Sequence, residues 1–230
     1  MEKSKKVLRI LITLIGYLTL FITSIFSIIN NVLEKEVIIN EIILVLYSIS
    51  LILILINLIF HVKNFCAYKS CVLAGGCFWC MSKPYYEYDG ILKVYSGYSG
   101  GVEKNPKYED VKKQKTSHKE CVKLIYNKYK ITYKQILDIY FETIDPFDDG
   151  GQFIDRGESY TTALFYNSKK MKREIEDYIL SFEKKYNKKV AVKVLKETSF
   201  YKAEEYHQDY AIKNPQEMHK ELVESGRIKE

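Results

Sequence analysis

The first third of the chain is built almost entirely from aliphatic and aromatic residues, and no other feature limits its folding so strongly. Val7 to Ile29 reads VLRILITLIGYLTLFITSIFSII, with one charge, Arg9, near its start. Ile42 to Phe60 reads IILVLYSISLILILINLIF and carries none. Each has about the 20 residues that a helix rising ~1.5 Å per residue needs to cross a ~30 Å hydrocarbon layer. A charge at the centre of such a helix costs at least about 2.5 kcal/mol, so its absence is informative. The pair predicts two transmembrane helices, at about 7–29 and 42–61, forming a membrane anchor over residues 1–64 with the polar connector NNVLEKEVIINE between them. A cleaved signal peptide fits less well, because the first run is too long and no small-residue cleavage site follows. Buried globular helices would be apolar on one face rather than all round. Lys3, Lys5, Lys6 and Arg9 precede the first run, Lys35 alone lies in the connector, and Lys63 and Lys69 follow the second. The positive-inside bias then places both ends in the cytoplasm, giving a two-span protein of the cell membrane with its main domain on the cytoplasmic side.

Beyond Phe65 the composition changes to a mixture rich in Tyr, Lys and Glu. The whole chain carries a formal charge of +6. Lys and Glu are interleaved with no long Arg-rich run, which describes a solvated surface and no nucleic-acid partner. Strands are predicted at Lys69–Leu73, Leu92–Tyr98, Glu120–Asn127, Thr161–Tyr166 and Val190–Leu195. Helices are predicted at Cys77–Tyr88, broken at Pro84 with Ser82 as a second N-cap, at Tyr108–Lys112, at Lys169–Asn187 and at Thr132–Ile144, where Thr132 and Gln135 have capping-box spacing. Asp145–Glu158, rich in glycine and acidic residues, reads as a loop, and the chain from Tyr201 as irregular, with a charged helical tail at 216–230. The expected class is α+β, a mixed sheet with packed helices, over residues 65–215.

Chemistry concentrates at Gly75–Cys80, GGCFWC. Four of five cysteines (Cys66, Cys71, Cys77 and Cys80) crowd into fifteen residues, a pattern of redox or metal chemistry rather than of a spread disulfide framework. Cys77 follows a glycine turn at a helix start, where free N–H groups and the positive dipole end stabilise a thiolate. One turn on, Cys80 faces the same side, so a disulfide can form once the first thiolate is oxidised. Phe78 and Trp79 point to an apolar pocket. At this level a thioredoxin-like dithiol oxidoreductase and a structural zinc module of four cysteines remain open, although zinc sites usually present two close pairs.

GGCFWC is followed in order by SGYSGG (Ser96–Gly101), NPKYEDV (Asn105–Val111), SHKECV (Ser117–Val122), FDDGGQFIDRGESYTTALFY (Phe147–Tyr166) and FYKAEEYHQDYAIKNP (Phe200–Pro215). Together these blocks resemble the A-type peptide methionine sulfoxide reductases over nearly all of Lys69 to Pro215. The resemblance implies repair of oxidised proteins by reduction of methionine S-sulfoxide, protein-bound or free. Cys77 would be the nucleophile that becomes a sulfenic acid, and Glu120 the proton donor. Tyr108 and Tyr160 would bind the sulfoxide oxygen, Asp155 would help hold the pocket, and Phe78 and Trp79 would wall the methyl group. Gln152, His207 and Tyr210 match motif positions without a firm role. It further implies no bound cofactor or metal, and reducing equivalents from thioredoxin or another dithiol. With the lipid bilayer and oxidised peptides or proteins, that completes the expected partners.

The sequence departs from the family pattern in two places. Many relatives have glycine after the tryptophan and recycle through cysteines near the C-terminus, whereas this chain has Cys80 and no cysteine beyond Cys121. Cys80 is therefore the expected resolving residue. Cys121 neighbours Glu120, and adjacent strand residues face opposite sides. Ser117 also stands where a glycine is usual. Cys71 is expected to pack, and Cys66 lies at the membrane edge, where palmitoylation is conceivable.

Overall fold

A computed structural model describes the backbone of residues 2–33, 37–65 and 67–228, and within the first two helices the side chains of 14–29 and 44–60. Cys66 and Lys35 lie outside the described residues, as do the side chains of Lys3, Lys5, Lys6, Arg9 and Lys63. The chain divides into two compact units, Met1–Ala67 and Tyr68–Glu230.

The first unit is a pair of helices, α1 (Glu2–Leu33) and α2 (Val37–Phe65). Ser24 Oγ lies 2.9 Å from Tyr47 Oη, Ser50 Oγ donates to Thr19 Oγ1 at 2.7 Å, and a Cβ on Gly16 would sit 3.3 Å from Ile54. Position numbers rise on one helix as they fall on the other, so the two run antiparallel. Thr23 and Ser50 are buried in the seam while Leu14, Leu18, Phe21, Leu44, Leu51 and Leu58 point outward. Among the described residues no helix is long and apolar enough to cross a membrane. The two transmembrane helices expected at about 7–29 and 42–61, and the membrane hairpin they would form, are therefore not supported among the described residues.

The second unit runs β1 (Tyr68–Ala74), α3 (Phe78–Ser82), β2 (Ile91–Ser99), α4 (Tyr108–Lys112), β3 (Lys119–Asn127), α5 (Tyr133–Thr143), β4 (Gly151–Gln152), β5 (Asp155–Arg156), β6 (Ala163–Tyr166), α6 (Lys169–Tyr186), β7 (Lys193–Lys196), β8 (Tyr201–Lys202), α7 (Tyr210–Lys213) and α8 (Pro215–Glu224). Six strands form one sheet in the order β7-β6-β1-β3-β2-β8, antiparallel except for the parallel pair β6–β7. The expected mixed α+β sheet is therefore present.

Strand alternation sorts the core. Cys71, Leu73, Val122, Leu124, Tyr126 and Leu164 face the main core, shared with Phe78 and Met81 of α3, Ile136, Leu137 and Tyr140 of α5, and Met171 and Ile175 of α6. Val72, Ala74, Cys121, Ala163 and Phe165 face the other side. Thr132 and Gln135 form the expected capping box on α5. Ser168 caps α6, which ends at Asn187 in a left-handed conformation.

Several local expectations change. Pro84 ends α3 early, and Lys83–Glu87 continues as a 3-10 turn. The Ser82 side chain does not cap it; its hydroxyl donates back to the Trp79 carbonyl. Val190–Val192 is not strand, since Ala191 donates to Pro146 O before β7 begins. The 145–158 loop contains the small hairpin β4–β5, turning through Phe153 at φ 54°. The helical tail expected after Pro215 is present as α8, but it is packed rather than free, with Met218 and Leu222 buried against Cys80 and Ala211.

Candidate active site

Cys77 is the residue before the first turn of α3, reached through Gly76 at φ +85°. A Cβ on Gly76 would lie 2.7 Å from the Gln152 side chain, so only glycine fits this turn. Cys77 is half-buried, whereas Cys80 is 3% exposed beneath α7 and α8. Both are free thiols, with their sulfurs within 4.8 Å of each other.

Glu120 on β3 points to the core face that α3 covers. It is 2% exposed, and its Oε2 accepts the Phe78 backbone N–H at 3.0 Å. Burial pushes its carboxyl up to about 8, against the opposing bonds from the Phe78 N–H and the Tyr160 hydroxyl, while Asp155 adds to the rise. A buried carboxyl of this kind stays protonated at neutral pH beside the nucleophile. Burial, then the nearby Glu120, also raises Tyr108 and Tyr160, so both remain hydroxyl donors. Asp155 on β5 is raised by burial, and moderated by Arg227 and the Cys77 backbone N–H.

The expectation of a low-pKa thiol at Cys77 is overturned for the dithiol state. Its hydrogen bond with Cys80, then burial, then the charges of Cys80, Glu120 and Asp155 hold Cys77 well above the ordinary thiol range. Cys80 moves down through the same bond, with help from Arg227 and against its burial. The physical reason lies at the helix start. α3 is only five residues long, and the N–H group of Phe78 at its start is given to the Glu120 carboxyl instead of a sulfur.

Aromatic rings wall the nucleophile. Trp79 stacks on Tyr210 at 3.9 Å with 13° between planes. The His207 ring fits among Phe78 at 5.0 Å, Trp79 at 5.4 Å and Tyr108 at 4.3 Å. His207 is buried, which lowers its pKa against the pull of Glu204, so it acts as a neutral spacer ring. Gln152 is not in the wall: its amide exchanges hydrogen bonds with the backbone of Asp145 and donates to Gly151, holding the loop against Gly76.

Sequence reasoning missed several residues. Glu204 accepts the Tyr98 hydroxyl at 2.8 Å and the Tyr108 N–H at 3.1 Å, tying β2 and α4 to the C-terminal segment. Gln208 clamps Ser96 through both its amide atoms. Both stood inside the FYKAEEYHQDY block, where buried polar roles could have been sought. Lys119 is buried and donates to Glu158 and Thr161, fixing the turn that carries Tyr160. Arg227 donates to Thr143 O at 2.9 Å and Gly75 O at 3.3 Å and lies over Phe153. Ser117, in place of glycine, bonds the Glu103 carboxylate and the Val102 N–H.

The four-cysteine zinc arrangement is not assembled among the described residues. Cys71 is buried in the main core, and the group of close potential ligand atoms is Cys77, Cys80 and Glu221, within 4.8 Å of one another. Cys121 lies on the opposite sheet face from Glu120.

A profile described as peptide methionine sulfoxide reductase matches residues 69–230. The chain belongs to the peptide methionine sulfoxide reductase family. Its chemistry is accordingly the thiol-dependent reduction of methionine sulfoxide. The reductase is 45% identical over 156 residues to peptide methionine sulfoxide reductase MsrA of Bacillus licheniformis, covering 67% of this chain and 86% of that protein. It is 46% identical over 157 residues to MsrA 2 of Staphylococcus aureus, covering 67% and 89%. Among solved structures it resembles reduced Mxr1 from Saccharomyces cerevisiae, with a TM-score of 0.62 at 33% identity over 66% of this chain and 88% of that one. The matched region includes α8 and Arg227.

Proposed function

We propose that this reductase acts on the S-epimer of methionine sulfoxide, in peptides, proteins or the free amino acid, with Cys77 as nucleophile and Glu120 as proton donor. The observation that carries this reading is the Glu120 carboxyl, buried beside Cys77 and pushed up to about 8. Cys77 sulfur attacks the sulfoxide sulfur as Glu120 protonates the sulfoxide oxygen, which Tyr108 and Tyr160 hold by hydrogen bonds; the hydroxyl so formed passes to the Cys77 sulfur, and the Cys77 thiol proton restores the Glu120 carboxyl. Methionine leaves and Cys77 remains as a sulfenic acid, a reversible oxidation state. Phe78 and Trp79 cradle the methyl group, and Asp155 holds the Cys77 backbone. Tyr210 backs Trp79 and His207 keeps the rings apart, while Gln152 serves the turn.

Cys80 then condenses with the sulfenic acid to a disulfide, and a thioredoxin-type dithiol reopens it by exchange. Supporting Cys80 are the approach of its sulfur to within 4.8 Å of Cys77 Sγ and the burial of Cys121 on the other sheet face. The test is stereospecific turnover of a methionine sulfoxide peptide by the full chain. Loss of activity on the S-epimer in Cys77→Ser and Glu120→Gln is expected. Full activity in Glu120→Gln would refute Glu120 as the proton donor.

The same reading places residues 1–64 in the lipid bilayer of the cell membrane as two spans, with the reductase domain in the cytoplasm and oxidised membrane proteins near at hand. Supporting it are the seam of small polar residues at Gly16, Thr19, Thr23 and Ser50 and the outward apolar side chains, the reverse of a water-soluble helix pair. Alkaline extraction of cell membranes checks it. Release of the chain into the soluble fraction would refute the spans, and protease access to the domain from outside would refute the orientation.

A further inference from the structure

Glu221 stands apart from the residues already assigned. It lies on α8, half-buried, and its carboxyl makes no hydrogen bond or ion pair among the described residues. Glu120 accepts the Phe78 N–H, and Arg227 donates to two backbone carbonyls. Met218 and Leu222, on either side of Glu221 along α8, pack directly on Cys80. This packing aims the unpaired carboxyl at the sulfurs. Its oxygen, Cys77 Sγ and Cys80 Sγ all lie within 4.8 Å of one another.

We infer that Glu221 is the proton relay of the disulfide-forming step, accepting the Cys80 thiol proton as that sulfur attacks Cys77 and returning it to the departing hydroxyl. The inference rests on the reading of Cys80 as the resolving residue. The step balances without a further reactant. The Cys80 S–H and Cys77 S–OH bonds break, the S–S bond forms, and the hydroxyl leaves as water with the proton from Glu221. Electrons pass from the Cys80 sulfur to the sulfenic sulfur. A base is needed there because Cys80 is buried, and the Cys77 thiol that had bonded it is gone once Cys77 carries oxygen. Glu120 sits on the sheet side of α3, at the Phe78 N–H, whereas Cys80 is buried on the opposite side against Ala211, Met218 and Leu222, beside Glu221. The carboxyl of Glu221 is itself raised, by burial first and then by Asp155 and Glu224, which suits a group that must both take and give a proton.

The experiment is a single turnover of the reduced full chain with a methionine S-sulfoxide peptide and no external reductant. Methionine release, sulfenic acid trapped by dimedone, and the Cys77–Cys80 disulfide are followed separately. In Glu221→Gln, methionine release should keep the wild-type rate, sulfenic acid should accumulate, and disulfide formation should slow by about 10²-fold, within the range of acid–base catalysis. The fall of the wild-type disulfide rate at low pH should vanish in Glu221→Gln, and Glu221→Asp should recover part of the rate. A wild-type disulfide rate in Glu221→Gln overturns the relay, as does an equal slowing of methionine release. Methionine release without a Cys77–Cys80 disulfide in the wild type removes the Cys80 reading, and the relay with it. Absence of methionine release would instead refute the assignment of the nucleophile.

Discussion

Replacing Glu120 by Gln should make the protein more stable and nearly inactive, and the two effects have one origin. In the unfolded chain Glu120 ionises near the ordinary 4.5, while in the folded protein burial holds it protonated until about pH 8. Between those values the folded state binds a proton that the unfolded state has released, so stability falls as pH rises through that window. Each pH unit costs about 1.4 kcal/mol. The wild type therefore carries a penalty of about 1 kcal/mol at pH 5, about 3 at pH 7 and about 4 at pH 8, levelling off above. Glutamine keeps an oxygen for the Phe78 N–H and has no proton to lose. The gain of Glu120→Gln over wild type should thus grow with pH along this curve and vanish below about pH 4. Denaturant unfolding read by Trp79, the single tryptophan, measures it at each pH. Methionine formation should fall by about 10²–10⁴-fold in the same variant. A stability gap that does not change with pH, or a less stable variant, would refute the neutral buried carboxyl.

The sulfoxide-reduction step should lose rate as pH rises through about 8, with the protonated fraction dropping from about nine-tenths at pH 7 to about one-tenth at pH 9; pre-steady-state methionine release measures it. Tyr210→Leu removes the ring stacked on Trp79, and a KM rise of about 3–10-fold with kcat little changed is expected from ~0.5–1.5 kcal/mol of stacking. Gly76→Ala should destabilise the fold by about 1–3 kcal/mol in denaturant titration, since φ +85° and the Gln152 contact leave no place for a methyl group.

Much of this site was legible in the chain because its chemistry sits in local blocks. The strand reading of 120–127 sent Glu120 and Cys121 to opposite faces, as they are found. The spacing of Thr132 and Gln135 marked the start of α5. What escaped depends on partners distant in sequence. Arg227 bonds only backbone carbonyls and an aromatic face, which leave no trace in composition. α8 shows one buried apolar pair, Met218 and Leu222, in a charged stretch, and so resembles a solvated tail. The acidity of Cys77 was misjudged because a sequence marks where a helix starts but not which groups its N–H bonds serve.

The ties that close the pocket are long-range. Tyr98 meets Glu204 across 106 positions, Ser96 meets Gln208 across 112, and Gly75 meets Arg227 across 152. Contacts of such separation cost more chain entropy to close than local ones. Any nick or local opening between residues 200 and 227 would uncover Cys80, which is buried against Ala211, Met218 and Leu222. Such a molecule would be open to indiscriminate oxidation and mixed disulfides. Selectivity for sulfoxide is thus a property of the completed chain, lost before the fold itself is lost.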